Sequence, residues 1–488
     1  MERKSGVLLH VSSLWGEYSC GAFGKEGREF VDFLKEAGFS YWQVLPFCLP
    51  NEFASPYASL GAFSVNPNFI DLKELSDVGL ITREELEGAR QQTPYVCEFD
   101  KLSAERFDLL SKAAARFSGD KEYDNFFLTH PHTEKFCHFM ACRAENGGIP
   151  FWLWTTDGEK ESVLKTWKFI CYTFVRQWKE LKKYANDSGV SIIGDIPIYV
   201  SQDSSDVWES PDQFLVDERC RPTRVAGVPP DYFSADGQLW GNPLYDWAKM
   251  KEDGYKWWRD RISFMCEFFD CIRIDHFRGL ESFYTCAPDA KNAREGEWVK
   301  GPGKEFVEIL KKTCGGKELI AEDLGIITPE VRELVDGSGL PGMKVLQFGF
   351  ADDEDNPHLP HNFEKNCIAY TGTHDNNTLL GFMFDLDDAT RQRLLSYCGF
   401  NGGWWDCRDA YYSVIKTMLG SHADTVIFPL QDLLLYGGDT RMNTPGIDTG
   451  CWGWRVTKDQ FMTLDRAYLK YLNLLYFRCK TEKPKTKE

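Results

Sequence analysis

Eight short apolar runs, each bounded by turn residues and separated by amphipathic helical stretches, constrain this chain more than any other feature. They are Gly6–Val11, Tyr41–Leu45, Ser191–Ile196, Cys271–Asp275, Glu318–Glu322, Met343–Phe348, Cys367–Thr371 and Thr425–Pro429. Strand-length runs alternating with helices specify βα units and a parallel sheet, and eight such units close a (β/α)8 barrel. Three of the intervening helices can be read directly. Phe30, Phe33, Leu34 and Ala37 fall on one helical face with Gly38 after them, Thr328 and Pro329 form an N-cap and first helical position ahead of Leu334 and Val335, with Gly337 as the expected stop, and Phe306, Ile309 and Leu310 precede Gly315 and Gly316.

Two stretches exceed the minimal repeat. The chain from 60 to 189 carries patterns such as Trp167, Cys171, Phe174 and Trp178, which predict a mainly helical insertion between the second and third strands. The stretch 201–247 is rich in Gly, Pro, Asp and aromatic residues and too long for an ordinary connection, so it is expected to be a functional loop. The expected organisation is one catalytic barrel over 1–488, with a frayed polar tail at 480–488 and a closing helix over Phe461–Leu474.

Composition narrows the function classes. Lys and Arg number 56 against 74 Asp and Glu, a net charge of −18, which argues against nucleic acid and anionic membranes as partners. No apolar stretch is long enough to span a membrane and no signal-peptide pattern opens the chain, so a soluble cytoplasmic protein is expected. The 16 Cys include no C-x-x-C pair, and several, such as Cys266, Cys271, Cys367 and Cys479, sit in apolar runs, as reduced thiols do. Aromatic residues make up 15% of the chain; their faces suit both a hydrophobic core and the C–H faces of sugars. Phosphate-binding and dinucleotide motifs are absent, as is G-x-S-x-G, and no cofactor is implied.

In a parallel barrel the site lies at the C-terminal ends of the strands, and there this sequence puts carboxylates. Asp195 ends the third run, Asp275 the fourth and Glu322 the fifth, while Asp375 follows the seventh. Burying acids at a barrel mouth is costly unless they are paired, so four of them imply chemistry. Asp275 and Glu322 project from neighbouring strands, which lie ~4.8 Å apart, close to the ~5–5.5 Å carboxyl separation of a retaining glycosidase. Arg273 precedes Asp275 by two residues and so shares its strand face, where it keeps Asp275 ionised as a nucleophile requires, while the apolar Ile320 at the equivalent position raises the Glu322 pKa toward that of a proton donor. A buried ion pair is the structural alternative for Asp275 and Arg273. Metal binding is disfavoured: His276 and His374 adjoin acids, but neighbours on a strand point to opposite faces, and His130 and His132 form an H-x-H only within the insertion.

These residues stand in a set of motifs: SPYAS and FSVNP at 55–67, GDIPIYV at 194, VAGVPPDYFS and GQLWGNPLYDW at 225–247, IRIDHFRG at 272, IAEDLG at 320, TGTHDNNT at 371 and RMNTPG at 441. In these motifs, over nearly its whole length, the chain resembles the 4-α-glucanotransferases of glycoside hydrolase family 77, the amylomaltases or disproportionating enzymes of the α-amylase clan. The resemblance implies a retaining transferase of α-1,4-glucan segments between maltooligosaccharides, without metal or cofactor. It implies Asp275 as nucleophile, Glu322 as acid/base and Asp375 as the third acid that grips sugar hydroxyls. Tyr57, Asp195, Arg273, His276 and His374 match residues lining the sugar next to the scissile bond, and Ser55, Gln238, Trp240 and Asn443 match further glucan contacts. The 201–247 stretch, with Tyr232 and Phe233, is similar to the family's lid, and the family lacks the C-terminal β-sandwich of ordinary α-amylases. An α-1,4-glucan hydrolase of the same clan is the alternative; oligomeric state is left open.

Overall fold

The computed structural model describes residues 3–50, 54–230, 236–350, 354–403, 407–447 and 449–480. Its strands, in chain order, are β1 (Lys4–Leu8), β2 (Tyr41–Gln43), β3 (Ser191–Ile196), β4 (Val225–Val228), β5 (Gln238–Pro243), β6 (Cys271–Ile274), β7 (Ser282–Cys286), β8 (Glu297–Lys300), β9 (Glu318–Ala321), β10 (Gly342–Val345), β11 (Cys367–Tyr370) and β12 (Thr425–Pro429). All eight apolar runs form one parallel sheet in the order β10-β11-β12-β1-β2-β3-β6-β9. Its two ends meet where the Ala321 amide donates to the Pro341 carbonyl (3.0 Å) and the Met343 amide donates to the Asp323 carboxylate (2.6 Å), so the sheet closes as a barrel.

Alternation along each strand explains why the runs are apolar throughout. Leu8, Tyr41, Ile193, Cys271, Ile320, Met343, Ile368 and Ile427, one from each barrel strand, form an inner cluster, while neighbours such as Val7, Trp42, Ile192, Ile272 and Val426 pack outward under the helices. Each fully buried large side chain contributes roughly 1.5–3 kcal/mol. Much of the aromatic content is spent here. Phe47 meets Trp178 edge to face (4.7 Å, 89°), and Phe23 contacts both Phe174 and Trp178, joining the barrel to helix Glu161–Asp187.

Strand limits shift from the expected ones in an informative way. β1 ends at Leu8 and Val11–Ser13 is a 3-10 turn; β10 ends at Val345 and Leu346–Phe348 is another. β6 and β9 stop at Ile274 and Ala321, so Asp275 and Glu322 stand just past the strand ends. Helix Pro329–Ser338 takes its N-cap from Thr328 but runs through Gly337 and ends at Gly339, whose φ of 70° is the left-handed value glycine adopts freely. The closing helix is two, Lys458–Met462 and Arg466–Leu475, because Asp465 caps the second.

Between β2 and β3 lie helices Leu72–Asp77, Arg83–Gly88, Phe99–Arg116, Lys121–Thr129, Pro131–Glu145 and Glu161–Asp187. Trp167, Cys171, Phe174 and Trp178 are all buried on the last. His130 and His132 of the H-x-H are used in hydrogen bonds with Glu267 (3.2 Å) and Asp260 (2.9 Å). The stretch 201–247, expected as a loop, holds helix Ser205–Glu209 and strands β4 and β5. With β7 and β8 these make a four-stranded antiparallel sheet, order β5-β4-β7-β8, that the sequence reading does not anticipate. After β12 the described residues form short helices, and among all described residues no helix is long and apolar enough to cross a membrane.

Candidate active site

The strand ends open into a cleft of about 830 Å³, within the range of sites that enclose a sizeable ligand. Ser55, Tyr57, Gln238, Trp240, Arg273, Asp275, His276, Glu322, His374, Asp375 and Asn443 line it together. Asp195 lies beneath, its side chain fully buried. Tyr232 and Phe233 fall outside the described residues.

Register sets the two central acids side by side. Ile274 pairs with Ala321, so Asp275 and Glu322 are the next residues of adjacent parallel strands, and the Glu322 amide donates to the Ile274 carbonyl (3.2 Å). Arg273, buried between them and β3, bridges Asp275 (Nη2 to Oδ1, 2.9 Å) and Asp195 (Nη1 to Oδ2, 2.6 Å). The Tyr57 hydroxyl donates to the same Asp195 oxygen (2.7 Å), while Asp195 Oδ1 has no partner. Asp195 and Arg273 thus form a fixed base under the Asp275 carboxylate, which is 27% exposed and reachable from the cleft.

The Glu322 carboxylate accepts the His276 amide (Oε2, 2.6 Å) and the Leu324 amide (Oε1, 2.8 Å). Burial nevertheless dominates and, with the negative Asp275 adding to it, raises its pKa to about 7 against the pull of Arg273 and the two amides. Asp275 is also raised by burial, to about 6, with Arg273 opposing. Arg273 pulls Asp275 toward its charged form as the sequence suggests, while desolvation, absent from that reading, is the larger effect and raises it.

His276 and Asp275 both face the cleft, as do His374 and Asp375, contrary to the opposite faces expected of strand neighbours. The reason is that each pair lies beyond its strand: His276 has φ 50°, and residues 373–376 form a turn in which Asn376 Oδ1 accepts the Thr373 amide (2.9 Å). Burial and the nearby Arg278 charge push His276 down to about 3, so it is neutral, and its buried Nε2 has no partner. Such a nitrogen is available to a ligand hydroxyl. Trp240 packs edge-on against it (4.8 Å, 86°) and donates its indole N–H to Gln238 (3.2 Å).

Burial alone would raise Asp375, but His374 (3.3 Å) and the Asn443 amide donated to Oδ1 (2.6 Å) bring it down to about 2. Burial lowers His374 in turn, and Asp375 outweighs it, so the imidazole is shifted toward its charged form. The His374 ring stacks on Tyr57 (5.0 Å, 16°), and Trp452 leans on both at 5.8 Å. Ser55 Oγ accepts the Tyr57 amide (3.3 Å) at the base of that loop. Trp452, Arg278 and Trp298 also line the cleft and are missing from the sequence-derived set. Arg278 lies inside the IRIDHFRG motif and so carries a signal; Trp298 and Trp452 offer only aromatic type, in stretches with no strand-end position.

Comparison with known proteins follows the same line. A family model described as 4-alpha-glucanotransferase matches residues 9–461. The 4-alpha-glucanotransferase of Clostridium butyricum is 39% identical over 498 residues, covering 96% of this chain and all of that protein, and that of Thermus thermophilus is 39% identical, covering 93% and 95%. Among solved structures, the amylomaltase from Streptococcus agalactiae in complex with acarbose superposes with a TM-score of 0.92 at 36% identity, covering 98% of this chain and all of that one. The Corynebacterium glutamicum amylomaltase shares the fold with a TM-score of 0.81 at 17% identity, over 96% of this chain and 75% of its own. A family model matched over residues 9–461 and a relative 39% identical over 96% of the chain, on a barrel whose mouth is lined by paired acids, mean that the chain belongs to the 4-alpha-glucanotransferases, family 77 of the glycoside hydrolases.

Proposed function

We propose that this 4-α-glucanotransferase acts by double displacement with retention, with Asp275 as nucleophile and Glu322 as acid/base. The observation that carries the reading is the β6–β9 register, which makes Asp275 and Glu322 the next residues of adjacent parallel strands; strands lie ~4.8 Å apart, which suits the ~5–5.5 Å carboxyl separation of retaining enzymes. The order of their pKa values supports the roles: at neutral pH Asp275 is largely ionised while Glu322 still holds a substantial share of its proton.

In the first step the Glu322 carboxyl gives its proton to the glycosidic oxygen as an Asp275 oxygen attacks the anomeric carbon. The bond to the leaving glucan breaks and a glycosyl ester forms on Asp275. In the second, the Glu322 carboxylate takes the proton of an acceptor 4-hydroxyl, whose oxygen displaces Asp275. Asp375, kept ionised by His374 and Asn443, is suited to hold sugar hydroxyls, and neutral His276, with its free Nε2, to accept or donate a further hydrogen bond. Ser55, Tyr57, Gln238, Trp240 and Asn443 would complete the glucan contacts.

The substrates in this reading are maltooligosaccharides and α-1,4-glucans, handled without metal or cofactor in a cytoplasmic setting, which the acidic charge balance and free thiols support. The 201–247 stretch serves as the cover that favours a sugar hydroxyl over water as acceptor. A hydrolase of the wider clan is not favoured by the family match.

Incubation with maltotriose alone tests the proposal. Longer maltodextrins should appear with constant reducing ends, and Asp275→Asn should abolish the ladder, by at least about 10³-fold in rate. Rising reducing ends without longer products would mean hydrolysis instead.

A further inference from the structure

The cleft wall holds a large aromatic side chain that the two displacement steps leave unused. Trp298 lies in β8, the outer strand of the four-stranded sheet, and lines the same cavity as Asp275 and Glu322. It is 41% exposed, yet it is held on several sides. The Arg278 guanidinium covers one face of the indole, its carbon 3.8 Å from the ring centroid. Tyr284, directly opposite in register on β7, meets it at 5.2 Å and 62°. Ion pairs of Arg224 with Glu297 (3.0 Å) and of Lys300 with Glu281 pin the strand on either side.

Arg278 is itself 4% exposed and is fixed by its donations to Ser282 Oγ (3.1 Å) and the Ile326 carbonyl, while its Nε is buried without a partner. Burying a guanidinium so incompletely satisfied is costly, and the large apolar surface it steadies remains open to the cleft rather than closing into the core. An immobilised aromatic face on a cavity wall suits the flat C–H face of a pyranose ring.

The side of the cleft follows from connectivity. Ile326 follows Glu322 by four residues and Arg278 follows His276 by two, and His276 donates its amide to Glu322. Through Arg278, Trp298 is anchored to the Ile326 carbonyl on the segment that leaves Glu322, which points to the proton donor's side, where the leaving glucan departs and the acceptor enters.

We propose that Trp298 is a stacking platform for a glucosyl residue of the acceptor, beyond the sugar that bears the reacting 4-hydroxyl, and that Arg278 is the positioning residue for its indole. The proposal rests on the assignment of Glu322 as acid/base. It implies that an acceptor of several sugars gains from Trp298 what a single glucose does not.

The test uses the full-length enzyme with α-maltotriosyl fluoride as donor, whose leaving group needs no sugar on the acceptor side, and either glucose or maltotriose as acceptor. In Trp298→Ala the ratio of kcat/KM for maltotriose to that for glucose should fall about tenfold, the equivalent of about 1.4 kcal/mol. Trp298→Leu, which keeps apolar bulk without the aromatic face, should lower it similarly and guards against misfolding of the first variant. Arg278→Gln should move the same ratio in the same direction, whereas a merely structural role would lower both acceptors alike. A ratio within twofold of wild type in both Trp298 variants overturns the platform. Wild-type enzyme that transfers to neither acceptor would overturn the underlying reaction instead, and with it the platform.

Discussion

Asp275 and Glu322 share one desolvated pocket and one guanidinium, and the asymmetry between them comes from who holds Arg273. Asp275 has it directly at 2.9 Å, while Glu322 feels its charge without touching it and adds two backbone amides against burial. Burial raises both groups, Glu322 the further, so the pair titrates in two coupled steps above the usual carboxylate range. For kcat/KM on maltotriose this predicts a bell: the rate rises as Asp275 loses its proton and falls as Glu322 loses the one it must donate. In Glu322→Gln with a glycosyl fluoride donor the alkaline limb of the glycosylation step should disappear, since fluoride leaves without protonation. Persistence of that limb would move the acid assignment elsewhere. Residue type and strand-end position make Asp195, Asp275 and Glu322 legible in the sequence. The orientation of His276 and His374 is not legible, because a two-residue strand alternation does not describe residues that lie past the strand.

At the scale of elements, the barrel strands are legible because both their faces are buried, so each reads as a continuous apolar run. β4, β5, β7 and β8 are hidden for the opposite reason: β8 is exposed along its whole length, and β4 and β5 are interrupted by Gly227 and Gly241. Close approach, not turn formation, is what the glycine of β3 supplies. A Cβ on Gly194 would stand 2.1 Å from the Phe269 ring, which packs against the strand immediately before Asp195. Gly194→Ala is expected to cost about 1–3 kcal/mol or more as the ring is displaced, read as a lower denaturant midpoint, with activity falling further than stability because Asp195 and Arg273 move with the strand. Wild-type stability in this variant would mean that Phe269 relaxes freely.

For the molecule as a whole, the helical face of the insertion and the barrel strands it covers behave as one packed body, joined through Phe47, Phe174, Trp178 and Phe269. Around the barrel the pairing is uneven. Seven neighbouring strand pairs are laddered, while β9 and β10 meet through the Ala321–Pro341 bond and the Asp323 side chain standing in for a missing rung. Burial raises Asp323 to about 6, and the Met343 amide it accepts works the other way. Asp323→Ala should destabilise the protein by about 1–3 kcal/mol by leaving that amide unpaired, and Asp323→Asn, which keeps an acceptor, by less; thermal unfolding of the two variants compares them. Mechanically, the barrel is a hoop with a clasp, and the clasp sits beside the strand that carries Glu322. Amide hydrogen exchange should therefore be fastest among the barrel strands at β9 and β10, so that whatever compliance the ring has is felt first by the group that must both give up and recover a proton in every turnover.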